Sequence, residues 1–391
     1  MPFFIGRDRE ARRTYGFDEI ALVPGESTID IDDVDVMTRI GVEGKKSYEL
    51  SIPFFASAMD GVVDVKFAAA FGKLGGVAVL NLDGVQTRYE NPEEILQKIV
   101  AATPEKATEI IQGIYKEPIK EKLIAQRVEA IKKTGVICSV STIPSTASRF
   151  GTIAEEAGCD IFVIQSTVTS VRFLSSTKEA LDLKKICHDL KIPVLIGNTV
   201  SYRACLELME TGCSGILVGV GPGSACTTRG VLGIGVPQVT ATVDCAAARD
   251  NYYKKTGHYI SIITDGGMST GGDICKAFAS GADAVMIGSA FARAHESPGK
   301  GFHWGMATSH KNLPRGTRIK VGVSGTIEEI LLGPARVDDG SHNLVSALKT
   351  SMGTLGARNI KEMQNVEIII APSIKHEGKV LQKAQSVGMG K

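Results

Sequence analysis

Residues 194–224 read VLIGNTVSYRACLELMETGCSGILVGVGPGS and hold one complete repeat of this chain. Val194-Leu-Ile-Gly197 is a continuous apolar run. A helical pattern follows, ends at Glu210-Thr-Gly-Cys213, and hands over directly to a second run, Gly215-Ile-Leu-Val218. Runs that are apolar throughout, rather than alternating, belong to strands covered on both faces, as in parallel sheets. A glycine just past the last helical residue is the ordinary C-terminal stop.

The same unit recurs along the chain. Further runs are Pro53-Phe-Phe-Ala-Ser-Ala-Met59, Val77-Ala-Val-Leu-Asn81, Val136-Ile-Cys-Ser-Val140, Ile161-Phe-Val-Ile164, Ile260-Ser-Ile-Ile-Thr264 and Ala284-Val-Met-Ile287, which brings the total to eight. The glycine stop recurs at Lys73-Leu-Gly-Gly76, Glu156-Ala-Gly-Cys159 and Ser280-Gly-Ala282. Eight strand–helix units with right-handed crossovers close into a (β/α)8 TIM barrel. The expectation is one α/β catalytic domain over 1–391, with the barrel over about 52–300 and a closing helix at about 341–358, centred on Asn343 to Leu355. The rival architecture is an open doubly wound sheet.

Of 391 residues, 43 are glycine, an excess over the roughly 7% of ordinary chains that loops have to explain. The 43% apolar content excludes a disordered chain, and the lack of a three-residue glycine period excludes collagen. A net charge of +1 provides no global field for nucleic acid or an anionic membrane. The amino terminus has no apolar core of signal-peptide length, and the uncharged stretch Thr211–Thr228 is broken by glycine, proline and serine. The eight cysteines form no CxxC pair, which argues against a zinc ribbon, a redox motif or a disulfide framework. A reduced cytoplasm is the expected location, with most cysteines acting as small buried hydrophobes.

Two segments exceed the minimal unit. Residues 83–133 are charged and read as two amphipathic helices in a solvated excursion between strands 2 and 3. Residues 295–340 have no period and are rich in Gly, Lys and Arg, as expected of a flap over an active site.

In this fold the active site lies at the carboxyl ends of the strands. Those ends read Gly219-Val-Gly-Pro-Gly-Ser224, Asp265-Gly-Gly267 and Gly288-Ser289. Glycines there let backbone N–H groups approach an anion, so the three loops predict a cradle for a phosphorylated small ligand. Plain tight turns are the alternative. Gly219-x-Gly221 is not a dinucleotide fingerprint, because Ser224 replaces the third glycine and Pro222 interrupts the turn. The seven histidines (188, 258, 295, 303, 310, 342 and 376) show no metal-ligand spacing and read as surface or helix histidines. Cys226 differs from its fellows. It lies in the polar loop Gly223-Ser-Ala-Cys-Thr-Thr-Arg229 beside the cradle, where N–H groups and Arg229 favour a nucleophilic thiolate, and Thr227 and Thr228 offer hydroxyls to an adduct.

Residues 219–238, GVGPGSACTTRGVLGIGVPQ, closely resemble the catalytic loop of the IMP dehydrogenase / GMP reductase family. So do Phe17-Asp-Glu-Ile-Ala-Leu-Val-Pro24, Pro53-Phe-Phe-Ala-Ser-Ala-Met-Asp60, Ile196-Gly-Asn198, Asp265-Gly-Gly-Met-Ser-Thr-Gly-Gly-Asp273 and Val285-Met-Ile-Gly-Ser289, so the likeness covers nearly the whole chain. The resemblance implies that Cys226 attacks C2 of a purine nucleotide, with Thr228 positioning the attacking water or the ammonia. It implies that Ser224, Gly267, Gly288 and Ser289 hold the phosphate and Asp265 the ribose. Ser57 and Met59 would also bind the substrate, the Met306–Ala307 backbone would hold its base edge, and Gln165, Ser166, Asn198 and Gly219 would bind NAD. The carbonyls of Gly221, Gly223 and Cys226 resemble the family's potassium loop. IMP dehydrogenase, NAD-dependent oxidation of IMP to XMP within guanine nucleotide synthesis, is the implied activity, in a homotetramer. GMP reductase, taking GMP to IMP and ammonia with NADPH, is the alternative. A regulatory nucleotide binder without turnover is the third reading, although binding needs no thiol.

The chain departs from the family in three places. The 83–133 segment is too short for the pair of CBS modules that the dehydrogenases usually carry there. Gln165 stands where the family has an aspartate. The flap lacks the Arg–Tyr pair that activates water, and Arg315 in Leu313-Pro-Arg-Gly316 replaces the glutamate that partners the threonine. Arg315, Arg318 and Lys320 are the available cations, and a guanidinium serves as a base only when strongly perturbed. The missing modules and missing pair lean toward a reductase. Ser57, Met59 and the loop Val231-Leu-Gly-Ile-Gly-Val-Pro-Gln238 lean toward a dehydrogenase, and they lie closer to the chemistry.

Overall fold

Alternate residues of eight short strands point into two different cores, and this alternation closes the sheet. The computed structural model describes residues 3–176, 181–305 and 316–388. The strands are β1 (Phe54–Ala56), β2 (Val77–Asn81), β3 (Ser139–Thr142), β4 (Ile161–Gln165), β5 (Val194–Thr199), β6 (Gly215–Val218), β7 (Ser261–Asp265) and β8 (Ala284–Ile287). Each pairs in parallel with the next, and β8 pairs with β1 through Val285–Phe54, Met286–Phe55 and Ile287–Ala56, which closes the barrel. The barrel excludes the open-sheet rival.

Phe55, Val77, Val79, Ile161, Val163, Leu195, Leu217, Ile263, Ala284 and Met286 fill the barrel interior. Their strand neighbours, such as Phe54, Ala56, Phe162, Ile164, Ile216 and Val285, pack outward under the helices. The antiparallel hairpin Thr38–Ile40/Tyr48–Leu50 adds Ile40 and Leu50 to the inner cluster. Burial on both faces is why the strands read as unbroken apolar runs. The four helix stops of the sequence take positive φ at Gly75, Gly158, Gly212 and Gly281, a conformation that costs glycine little. The closing helix runs Leu344–Leu355 after Asn343.

Three elements differ from the sequence expectation. β3 begins at Ser139 rather than Val136, because its pairing with β2 starts at Val79–Ser139 and the Cys138 N–H is instead taken by the Asp160 carboxylate. Between β2 and β3 the chain forms Val85–Arg88, Pro92–Ala101, Pro104–Ile114 and Glu121–Lys132, more than the two helices expected. Nor is that region only a solvated excursion: Val85, Leu96, Ile99, Ile111 and Tyr115 enclose Trp304. Finally, the aperiodic 295–340 segment contains the pair Phe302–Trp304/Arg318–Lys320 and the helix Ile327–Leu331. Its pattern was hidden because strands of three residues are too short to show one. Among the described residues, no helix is long and apolar enough to cross a membrane.

Candidate functional site

A single cavity gathers residues from the carboxyl ends of the strands. Its wall includes Ser57 and Met59 after β1, Gln165 and Ser166 at β4, Asn198 on β5, and Gly219 to Thr228 after β6. Asp265 to Met268 after β7 and Gly288 and Ser289 after β8 complete it. Residues placed apart in the sequence as substrate, cofactor and cation residues thus meet at one site. Met306, Ala307 and Arg315 lie outside the described residues, while Gly305, Gly316 and Thr317 on either side line the cavity.

The Cys226 thiol donates to Thr228 Oγ1 at 3.2 Å, and its N–H closes a turn onto the Gly223 carbonyl at 3.0 Å. Cys226 is exposed whereas the other seven cysteines are buried, so one thiol alone is open to a substrate. Arg229 does not serve as the free cation expected beside the thiol. Its guanidinium donates to the carbonyls of Val220 and Val236, bracing the two ends of the loop. Gly221 and Gly235 leave room for that side chain: a Cβ on either would lie under 3 Å from it. Below, Gln238 Nε2 donates to the carbonyls of Val218 and Asp265, at 2.7 and 2.8 Å, and so joins the loop after β6 to the ends of β6 and β7.

On the opposite side, Asp265 Oδ2 accepts from Asn198 Nδ2 at 2.8 Å and from Gln165 Nε2 at 2.9 Å. Gln165 Nε2 also lies 3.1 Å from Asn198 Oδ1. Burial raises the Asp265 carboxyl to about 6, and the two amides oppose that rise. An aspartate at 165 would set a second carboxylate against the first; the glutamine supplies a donor instead. Asp83 is a further carboxylate in the wall, held by the Thr142 hydroxyl and the Ile143 N–H, both at 2.8 Å.

The third group lies where the glycine loops meet. Ser224 Oγ and Ser289 Oγ are 2.6 Å apart, and His303 Nε2 lies 3.1 Å from Ser289 Oγ. Gly288 approaches Met59 so closely that a Cβ would sit 2.8 Å from its sulfur. His303 is buried at 2% exposure and His342 at 4%, which corrects their reading as surface or helix histidines. The signal for His303 was its place between Phe302 and Trp304, an apolar setting without helical period.

Residues 14–380 match the IMP dehydrogenase / GMP reductase domain. The chain belongs to that family. It is 36% identical to an uncharacterized oxidoreductase of Mycolicibacterium smegmatis over 375 residues, covering 94% of this chain and 99% of the relative. An uncharacterized oxidoreductase of Mycobacterium tuberculosis is 37% identical over the same shares. Inosine-5'-monophosphate dehydrogenase of Cryptosporidium parvum is 29% identical, covering 89% of each chain. The crystal structure of an IMP dehydrogenase/GMP reductase-like protein from Corynebacterium glutamicum superposes with a TM-score of 0.88 at 33% identity, covering 94% of this chain and 97% of that one. The chain is thus an oxidoreductase-family TIM barrel.

Proposed function

We propose that this protein oxidises IMP to XMP with NAD. The observation that carries the reading is the exposed Cys226 thiol, 3.2 Å from Thr228 Oγ1, in the wall that also holds the serine–glycine cradle. With the phosphate on Ser224, Ser289 and the glycine N–H groups and the ribose on Asp265, the purine C2 comes to the Cys226 sulfur. The thiolate adds to C2 and a C–S bond forms. When bound, NAD supplies the acceptor for the hydride that the tetrahedral C2 gives up. Water then adds at C2, giving up a proton through the Thr228 hydroxyl to solvent, the C–S bond breaks, and the sulfur regains its electron pair.

Gln165, Ser166, Asn198 and Gly219 line the part of the cavity suited to the nicotinamide end. The Gly223 carbonyl accepts one N–H and keeps a second lone pair; with Gly221 and Cys226 it would hold a potassium ion that orders the loop. Arg315 is the proposed partner of Thr228 in the hydrolytic half-reaction, and a homotetramer is the proposed assembly.

The test offers purified protein IMP with NAD, and separately GMP with NADPH, while reduced-nicotinamide absorbance is followed. A rise with the first pair alone supports the dehydrogenase. A fall with the second pair alone establishes the reductase, which the short helical insertion at 83–133 favours. Silence with both removes the enzymatic reading.

A further inference from the structure

The cavity has an unusual charge inventory. Among the described residues that line it, Asp83 and Asp265 carry carboxylates, and no lysine or arginine is present. The cations that come near in sequence are engaged elsewhere: Arg229 on loop carbonyls, and Arg318 on the carbonyls of Ile99, Val100 and Ala102. Yet a phosphate dianion is the ligand for which the glycine loops are shaped. His303 is the one described lining side chain that can become a cation near neutral pH.

Its hydrogen bonds suit that task. Nε2 faces Ser289 Oγ at 3.1 Å and Ser224 Oγ at 3.5 Å, while Nδ1 is buried without a partner among the described residues. A proton on Nδ1 gains no hydrogen bond, so the network assigns the neutral ring's proton to Nε2. Ser224, Ser289 and His303 then present three N–H or O–H donors, one for each terminal phosphate oxygen. We propose that His303 takes up a proton on Nδ1 as the 5′-phosphate of a nucleotide enters this cup, the attraction of the dianion outweighing the unpaired N–H this creates, and so supplies its only described side-chain countercharge. This rests on the purine-nucleotide reading above.

In the empty cup, burial holds the ring neutral, its pKa pushed down to about 4. A doubly charged ligand in contact opposes that: one opposite charge at this range moves a pKa by about 1–3 units, and the dianion brings two. The titratable and charged groups on the elements packed near the ring come from four of them. The catalytic loop brings the Cys226 thiol, and the paired strand brings Arg318 and Lys320, both over the Phe302 ring. The turn after β8 brings Arg293, and the loop after β1 brings Asp60, which is bound by Tyr115 and the Val85 N–H. Across the cavity are Asp83 and Asp265.

The test is titration calorimetry of IMP binding at pH 7.5 in buffers of different ionisation enthalpy. Free nucleotide phosphate is already dianionic there, its second pKa being about 6. The wild-type protein is expected to take up a proton from buffer with IMP, and not with inosine, which carries the same base and ribose past Asp265 and Cys226. His303→Asn keeps a donor but cannot titrate, so uptake is expected to be lost. Wild-type affinity for IMP is expected to fall toward tenfold per pH unit above neutrality, with the variant flat. IMP binding without uptake, equal uptake with inosine, or uptake that survives in His303→Asn overturns the proposal. The IMP–inosine comparison needs no variant, so a misfolded mutant does not leave the idea unexamined. IMP turnover without uptake removes His303 only; failure to bind either IMP or GMP removes the nucleotide reading as well.

Discussion

At the scale of single residues, reactivity here is decided by exposure. Seven cysteines are buried, and burial raises the thiols of Cys187, Cys213 and Cys275. Cys226 is exposed beside a hydroxyl. Cys226→Ala is therefore expected to abolish turnover and leave IMP affinity within about threefold, read by absorbance and calorimetry; a turning-over variant ends the covalent mechanism. Asp265 shows how a carboxylate is tuned. Burial raises it to about 6, so it loses its charge, and with it the ribose acceptor proposed above, as the pH falls through that value. Affinity for inosine, which carries no titrating phosphate, is expected to decline below pH 6, and Asp265→Asn to lower it and remove that acid limb. An unchanged limb in the variant sinks the assignment. Asp60 is raised to about 6 as well, chiefly by burial, with one oxygen unpartnered among the described residues. A raised carboxyl contributes stability below the unfolded pKa of about 4 that is lost as pH rises through about 6. Asp60→Asn is thus expected to gain on wild type between pH 4 and 7 by up to about 3 kcal/mol, since two pKa units are worth about that much. Paired thermal melts across that range decide it.

At the scale of elements, the insertion between β2 and β3 and the strand Phe302–Trp304 form one unit. Trp304 Nε1 donates to Tyr115 Oη at 2.9 Å, and the Tyr115 hydroxyl donates to Asp60. The chain of bonds ties the helices after β2, the loop after β1 and the strand that carries His303. Tyr115→Phe keeps the ring but orphans the indole N–H and removes a donor from a buried carboxylate, a cost of about 1–3 kcal/mol. Faster amide exchange at residues 302–304 is the expected readout, and unchanged exchange would show that packing alone holds the strand. The amphipathic helices were legible from their charge pattern. Their partner was not, because Trp304 lies roughly two hundred residues away and only the folded chain brings it to them.

At the scale of the molecule, the barrel separates chemistry from stability. The loops after the strands carry the cavity, while buried ion networks gather where strands begin. Asp283, just before β8, accepts from Arg249 at 2.9 Å, Lys361 at 2.7 Å, Gln364 at 3.0 Å, the Tyr259 hydroxyl and the Ile262 N–H. It links the barrel base to the segment after the closing helix. Asp283→Ala takes the buried carboxylate from Arg249, which keeps Asp250 and the Gly281 carbonyl, and leaves the Ile262 N–H without its acceptor, so a loss of about 1–3 kcal/mol is expected in denaturant unfolding. Because the site lies at the other end, kcat of the folded fraction is expected to stay within about twofold. A silent mutation would show that the network is dispensable.

By itself the sequence determined the repeat, the glycine stops, the polarity of the barrel, the one cysteine apart from the rest and the family likeness. These are local signals: apolar runs record burial on both faces, and glycines record backbone angles that other residues avoid. Tertiary structure alone decided what depends on distance through space. It showed that Arg229 braces its loop instead of facing the thiol, that Gln165 and Asn198 both bind Asp265, and that Trp304 anchors in the helical insertion. It also turned His303, one of seven unremarkable histidines in the chain, into a buried neutral ring against Ser224 and Ser289. A histidine's charge is set by what surrounds it, and the two serines it faces here come from two separate loops.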